Sequence, residues 1–221
     1  MAGLYALTYD DGPGPSTEAL LDVLEVAGAR ATFFLLGSNL CEAPWAGGDV
    51  ARARALVLRM LRAGHRVGNH TMTHRFPIEA GELVAEIAAM DGALADVARE
   101  AGVALDGVPF RLPYGVRLEA GAMDPRLAVA AGQGRAHVHW SADFEDWTLA
   151  AGDGARLGGE MIAHVRACAA AGRDAVLDLH DSGTGGRWGY ARPATVEATA
   201  LLLAEARTAG WGWFVAPRAG G

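Results

Sequence analysis

Short apolar runs alternate with longer amphipathic segments along this chain of 221 residues. The apolar runs are typical of buried strands, and the amphipathic segments are typical of helices. Strands that alternate with helices form parallel sheets, because a parallel pair needs a long crossover connection. About seven such units occur, and no linker, repeat or low-complexity stretch divides residues 1–221. The sequence therefore predicts one α/β domain, built as a closed or nearly closed (β/α) barrel.

The element boundaries follow from the apolar pattern and from Ser, Gly and Pro signals at helix ends. Strands are predicted at Leu4–Leu7, Ala31–Leu36, His65–Gly68, Val108–Phe110, His137–Trp140, Ala175–Leu179 and Trp213–Val215. Helices are predicted at Thr17–Ala27, Val50–Arg62, Glu79–Ala101, Pro125–Ala131, Leu157–Ala171 and Pro193–Ala209, with a loop at Asn39–Asp49. In such barrels the chemistry lies at the C-terminal ends of the strands, where the polar clusters of this chain occur.

Charge and composition exclude several classes of partner. The net charge is -7, which argues against nucleic acid, and the hydrophobic content of 51% indicates a globular chain. No apolar run is long enough to span a membrane, and no signal peptide is recognisable before Asp10. The two cysteines give no disulfide framework. We therefore expect a cytoplasmic protein without membrane or nucleic-acid partners, of undetermined oligomeric state.

Two adjacent carboxylates, Asp10 and Asp11, follow the first predicted strand and precede a Gly-Pro turn. Neighbouring side chains on a strand point to opposite faces, but at a strand end both can reach one pocket. An isolated Asp-Asp-Gly sequence is usually a solvated turn. His70 and His74 change that interpretation, because histidines four residues apart can face one divalent ion. Two histidines and one carboxylate leave a position open for water, as catalytic zinc sites require.

Three further clusters each have an ordinary structural explanation when taken alone. Arg111 precedes Leu-Pro-Tyr, and the segment 141–147 contains three carboxylates and Trp147. His180 ends a buried strand. In order, the stretches Thr-Tyr-Asp-Asp-Gly-Pro, His-Thr-Met-Thr-His, Arg-Leu-Pro-Tyr, Asp-Phe-Glu-Asp-Trp and Leu-Asp-Leu-His resemble the five motifs of the polysaccharide deacetylases, the NodB-homology family or carbohydrate esterase family 4. The resemblance runs from about Leu4 to Val215.

This resemblance implies a distorted (β/α) barrel of the NodB type with a metal-dependent N-deacetylase site. The implied metal is zinc, or cobalt or another divalent ion, and its implied ligands are Asp11, His70 and His74. Asp10 is the implied general base, and Arg111 orients and charge-balances a catalytic carboxylate. His180 is the implied general acid, and Asp143 is expected to orient it.

The resemblance also implies residues that bind substrate. Tyr114 would offer its backbone N–H to the oxyanion, and Trp147 and Leu179 would shape the sugar and acetyl pockets. Trp45 and Trp188, in loops, are predicted to add an aromatic wall for a bulky glycoside. Packing in the core explains each of these two side chains equally well.

The expected substrate is an N-acetylglucosaminyl group. Without an export signal, the chain resembles the deacetylases of glycopeptide-antibiotic pathways of the teicoplanin type, so we expect a glycoconjugate such as an antibiotic pseudoaglycone. A chitooligosaccharide or peptidoglycan deacetylase is the alternative, as is a deformylase or amidase on the same scaffold. A sugar-binding barrel without activity is disfavoured, because the base, acid and metal ligands are all present.

Overall fold

The computed structural model describes residues 3–105, 107–117 and 123–217. Within them, six strands form one parallel sheet: Leu4–Gly12 (β1), Thr32–Leu35 (β2), Arg66–Asn69 (β3), Ala142–Asp143 (β4), Ala175–His180 (β5) and Gly212–Trp213 (β6). Seven α-helices join them in the same part of the chain: Thr17–Ala27 (α1), Gly37–Cys41 (α2), Val50–Arg62 (α3), Ala80–Ala101 (α4), Pro125–Gly132 (α5), Gly154–Ala170 (α6) and Pro193–Ala209 (α7). The predicted α/β class with a parallel sheet is confirmed.

The central strand of the sheet is β1, which is buried from Tyr5 to Gly12. It pairs with β5 on one side, and on the other with β2 along its second half and β6 along its first. The strand order is β3-β2-β1-β5-β4. The prediction that β1 ends at Leu7 was wrong, because the strand continues through both aspartates. The predicted strand stopped at Leu7 because polar residues interrupt the apolar pattern there, although tertiary contacts bury those residues.

Two predicted strands, Val108–Phe110 and His137–Trp140, form only isolated β-bridges at the open side of the sheet. Phe110 bridges Asn69 of β3, and His137 bridges Phe110. Pro109 limits the ladder at this point, since it has no N–H to donate. A few residues later, Ser141 N donates to Val176 O of β5 at 2.8 Å. The segment 137–143 therefore runs from one edge of the sheet to the other, although no continuous ladder closes the barrel among the described residues.

Most predicted helices have the expected bounds. The left-handed glycines Gly28, Gly102 and Gly210 end α1, α4 and α7, as glycine at this position commonly does. The prediction that Asn39–Asp49 is entirely loop was wrong, because α2 extends into it and Pro44–Ala46 forms a 3₁₀ turn. These elements are only a few residues long, which is too short for a periodic pattern to reveal them.

The helices cover the outside of the sheet and leave the strand ends open. One apolar cluster, including Leu7, Phe33, Leu177 and Leu179, lies between the sheet and the helices. No helix in the described ranges is long and apolar enough to cross a membrane. The C-terminal ends of β1, β3 and β5 carry the polar residues, as predicted.

Candidate active site

A break in the pleat of β1 brings two adjacent carboxylates into one cavity. The register between β1 and β2 shifts between Asp10 and Gly12, and Asp11 has φ 70°. This bulge turns Asp11 toward the side that Asp10 already faces. Both side chains are buried, and both line a cavity of about 530 Å³.

Asp11, His70 and His74 converge on one point of the cavity. The Nε2 atoms of His70 and His74 lie 3.5 Å and 3.4 Å from Asp11 Oδ1. One candidate ligand atom from each residue lies within 4.8 Å of the other two. Asp11 Oδ1 is buried without a hydrogen-bond partner among the described residues. Two imidazole nitrogens around an orphaned carboxylate oxygen form a donor set that could hold a divalent metal ion.

The backbone fixes the tautomer of His70. Its Nδ1 lies 2.9 Å from Arg111 O, and a carbonyl can only accept, so Nδ1 carries the proton. Burial, together with the neighbouring His74, lowers the pKa of His70 well below 6.5. The ring is therefore neutral at neutral pH, and the lone pair on Nε2 faces Asp11, as a metal ligand requires.

Arg111 joins two carboxylates at the floor of the cavity. Its Nη1 donates to Asp10 Oδ1 at 2.8 Å, to Asp178 Oδ1 at 2.6 Å and to Thr8 Oγ1 at 2.8 Å. The guanidinium is fully buried, with its carbon 4.2 Å from the centre of the Phe34 ring. Burial raises the pKa of Asp10 to about 6, although Arg111 acts to lower it. The structure thus places Arg111 on Asp10, consistent with its predicted orienting role.

His180 ends β5 opposite Asp10, its register partner on β1. Its Nδ1 lies 2.7 Å from Asp146 Oδ1, and its backbone N–H donates to Asp146 Oδ2 at 2.9 Å. Burial by itself would lower the pKa of His180, but the charge and hydrogen bond of Asp146 raise it to about 10. The ring is therefore protonated at neutral pH.

The prediction that Asp143 orients His180 was wrong. Asp143 is exposed, and its Oδ1 accepts a hydrogen bond from Glu145 N at 2.9 Å. Glu145 has φ 48°, and the 3₁₀ turn that follows carries Asp146 inward, where it is 1% exposed. Nothing in the sequence pattern distinguished the two aspartates, because the choice depends on the turn between them.

Two of the predicted substrate residues line the cavity and two do not. The Trp147 ring lies 5.0 Å from the His180 ring, and the half-exposed Tyr114 ring lies 4.5 Å from His74. Leu179 is fully buried in the apolar cluster, because alternate residues of β5 face opposite sides.

Trp45 is not among the described residues that line the cavity. It packs against the core instead, and its Nε1 donates to Asn39 O at 3.0 Å. The Trp188 side chain, also predicted to contact substrate, lies outside the described part of the structure.

Several cavity residues were not predicted from the sequence. Asp178 lies two residues before His180 on the same strand face, and Trp140 lies with its ring 5.2 Å from the Arg111 guanidinium carbon. Arg117 and Arg192 also line the cavity. Alternation along β5 could have identified Asp178, since it shares the face of His180. The other residues come from irregular loops, for which no pattern exists.

Comparison with known proteins identifies the family of this chain. The family profile described as polysaccharide deacetylase matches residues 2–122. The chain belongs to the polysaccharide deacetylase family. It is therefore a carbohydrate deacetylase, which is a hydrolase, and the predicted family is confirmed.

Individual relatives of this polysaccharide deacetylase cover most of its length. A chitooligosaccharide deacetylase from Bradyrhizobium is 33% identical over 180 residues, covering 79% of this chain and 69% of that protein. A peptidoglycan-N-acetylglucosamine deacetylase from Bacillus cereus is 33% identical over 210 residues, covering 94% of this chain and 84% of that protein. The crystal structure of a polysaccharide deacetylase from Bacillus cereus matches with a TM-score of 0.70 and 28% identity, covering 95% and 90% of the two chains.

Proposed function

We propose that this deacetylase hydrolyses the acetamide of an N-acetylglucosaminyl group with the help of a divalent metal ion, zinc in the first instance. The observation that carries the proposal is the pairing of Asp10 with His180 across β1 and β5, beside the convergent Asp11, His70 and His74. A base and an acid beside a metal site are what hydrolysis of an unreactive amide needs.

The three candidate ligands fit one metal ion in both chemistry and arrangement. They are one carboxylate and two imidazoles, a set that leaves coordination positions open for water and substrate. The orphaned Asp11 Oδ1 supports the same proposal, since a buried carboxylate oxygen without a partner is costly. When bound, a divalent ion would polarise the amide carbonyl and acidify a water molecule.

Asp10 is proposed as the general base. Its Oδ1 is held by Arg111, and its Oδ2 lies 3.5 Å from His70 Nε2, on the side of the metal ligands. The oxygen that faces the reaction is thus separate from the one that is fixed. A carboxyl with a pKa of about 6 is ionised at neutral pH and is a better base than an ordinary aspartate.

His180 is proposed as the general acid. Asp146 orients the ring through Nδ1, so the proton on Nε2 is the one available for transfer to the departing nitrogen. A pKa of about 10 keeps this proton in place at neutral pH. Trp147 lies edge-on against the ring and limits its movement.

The names of the relatives support a glycan as the substrate. One relative acts on chitooligosaccharides and another on the N-acetylglucosamine of peptidoglycan. A cavity of about 530 Å³ is large enough for a sugar residue with its acyl group. We therefore propose an N-acetylglucosamine glycan of one of these two types as the first candidate.

A glycopeptide-antibiotic pseudoaglycone is the second candidate. Trp45 does not contribute to the aromatic wall predicted from the sequence, but another aromatic surface adjoins the cavity. Phe76 and Tyr114 are 38% and 54% exposed, and their ring centres lie 5.6 Å apart. Exposed aromatic rings beside a site favour a partly apolar ligand, because contact removes their surface from water.

The test is hydrolysis by zinc-loaded protein of three substrates: chitooligosaccharide, peptidoglycan glycan and N-acetylglucosaminyl glycopeptide. Loss of an acetyl group lowers the product mass by about 42 units. The metal-loaded Asp10→Asn variant is the matched control. Acetate release from at least one substrate, slower by about 100-fold or more in the control, would support the proposal. Metal-loaded wild type that binds sugar but releases no acyl group would overturn it in favour of a binding module.

A further inference from the structure

A third buried carboxylate, Asp178, lies in the catalytic cavity with no role assigned so far. It is 4% exposed, and it lines the cavity together with Asp10 and His180. Its register partner on β1 is Thr8, whereas His180 is opposite Asp10. Asp178 therefore lies one strand repeat deeper than the base and the acid, on the same face of β5.

The carboxyl group of Asp178 is fixed in orientation. Its Oδ1 accepts from Arg111 Nη1 at 2.6 Å, and Arg111 is itself held by Thr8 and by Val138 O. No described group makes a hydrogen bond to Oδ2, although the side chain lines the cavity. Because Arg111 holds Oδ1 and no described group bonds to Oδ2, Oδ2 can contact a substrate group at the floor of the cavity.

The shape of the cavity decides which part of the substrate reaches that floor. The exposed side chains of Tyr114, Arg117 and Asp143 surround the open side, so the saccharide must lie there. In an N-acyl amide the acyl carbon separates the saccharide nitrogen from the acyl tail. With this carbon between Asp10 and His180, the tail extends inward. Two residues along a strand span about 6.6 Å, and a two-atom tail with one hydrogen bond reaches about 5 Å from the acyl carbon, so the end of the tail comes near Asp178.

We propose that Asp178 selects the acyl group, favouring an N-acyl substituent that carries a hydrogen-bond donor over an alkyl one of the same size. The inference rests on the proposed amide hydrolysis. An alkyl tail would cover Oδ2 without bonding to it, whereas a hydroxyl would donate to it. Hydroxyacetyl and propionyl form a matched pair, since they differ only by a hydroxyl in place of a methyl group.

The reaction itself is the same for every acyl group. Water adds to the acyl carbon, the C–N bond breaks, and the nitrogen takes a proton as the amine leaves. The products are the free amino sugar and glycolate or propionate. A change in relative rate between the two substrates therefore reports the contact with the tail.

The experiment compares kcat/KM of the zinc-loaded protein on N-hydroxyacetyl-, N-propionyl- and N-acetylglucosaminides with one common leaving sugar. We expect the wild type to prefer hydroxyacetyl over propionyl by about 10- to 100-fold, the discrimination of one hydrogen bond to a charged or buried group. Asp178→Leu should abolish or reverse that ratio. Asp178→Asn, whose amide oxygen would take the place of Oδ1 at Arg111 and turn its NH2 group toward the tail, should lower the ratio while keeping the Arg111 contact.

Asp143→Leu is the matched control, because Asp143 is the exposed register partner of Asp178 on β4. It should alter kcat/KM for both acyl groups alike and leave the ratio unchanged. Equal wild-type rates on hydroxyacetyl and propionyl substrates would overturn the inference while acetyl hydrolysis still supports the deacetylase proposal. No hydrolysis of any amide would instead overturn the proposed function.

Discussion

Asp146 holds His180 by two hydrogen bonds at once, one at the ring Nδ1 and one at the backbone N–H. Thr195 Oγ1 also donates to Asp146, at 2.5 Å, so the carboxylate is itself fixed from α7. The presence of the proton at Nε2 of His180 therefore depends on Asp146, a residue that does not itself face the reacting amide.

The first prediction concerns this pair. Because Asp146 raises the pKa of His180 and burial opposes it, Asp146→Asn should shift the basic limb of the kcat/KM profile from about pH 10 to lower pH. Activity should then fall at a pH where the wild type is still active. The profile is measured on a small N-acetylglucosaminide. Asp143→Asn is the control and should leave the basic limb in place; a shift in Asp143→Asn alone would restore the sequence-based assignment.

The same pair predicts a pH dependence of stability. A folded-state pKa of about 10, above the ordinary 6.5, means that the ion pair stabilises the fold fully below about pH 6.5. This contribution is lost as pH rises from there through about 10. Urea unfolding between pH 6 and 10 should therefore show a steeper loss of stability in the wild type than in Asp146→Asn. Parallel curves for the two proteins would contradict the pairing.

The adjacent aspartates should behave differently when each is changed to asparagine. Asp10→Asn should retain the metal and lose about 10²- to 10⁴-fold in kcat, the usual size of a general-base contribution. Asp11→Asn should instead weaken metal binding, since it removes the charge at the convergent oxygen. Elemental analysis after dialysis and steady-state kinetics separate the two effects. The division of roles fails if both variants lose metal equally.

Metal removal should abolish activity, and zinc or cobalt should restore it. The metal should also stabilise the fold, by about 2.7 kcal/mol at a free concentration of 100 times the Kd. The measurement is the thermal unfolding midpoint with and without metal, for the wild type and for His74→Ala. Full activity of protein shown to be metal-free would overturn the zinc proposal.

Trp147 and Trp45, which the sequence predicted to contact substrate, should respond differently to substitution by alanine. Trp147→Ala should raise KM and lower kcat, because its ring lies against His180 at the cavity wall. Trp45→Ala should lower stability by about 3 kcal/mol or less and leave KM unchanged, because the side chain is only partly buried and packs on the core. A raised KM for Trp45→Ala with normal stability would return Trp45 to the substrate surface.

The sequence by itself determined the fold class, the family and the chemical groups of the site. Alternating apolar runs specify a parallel α/β sheet because periodicity and burial are local properties of the chain. Asp10, Asp11, His70, His74 and His180 were identifiable because they lie at strand ends, where the pattern changes from apolar to polar.

Only the tertiary structure decided which of these groups meet. The choice of Asp146 over Asp143 depends on one left-handed residue, Glu145, and the length of β1 depends on neighbours that bury two carboxylates. Asp178 lines the cavity in place of the predicted Leu179, because the face of β5 that each occupies is set by pairing with β1. Contacts between residues more than a hundred positions apart, such as Arg111 with Asp10, come from the packing of the sheet and have no signal in local sequence.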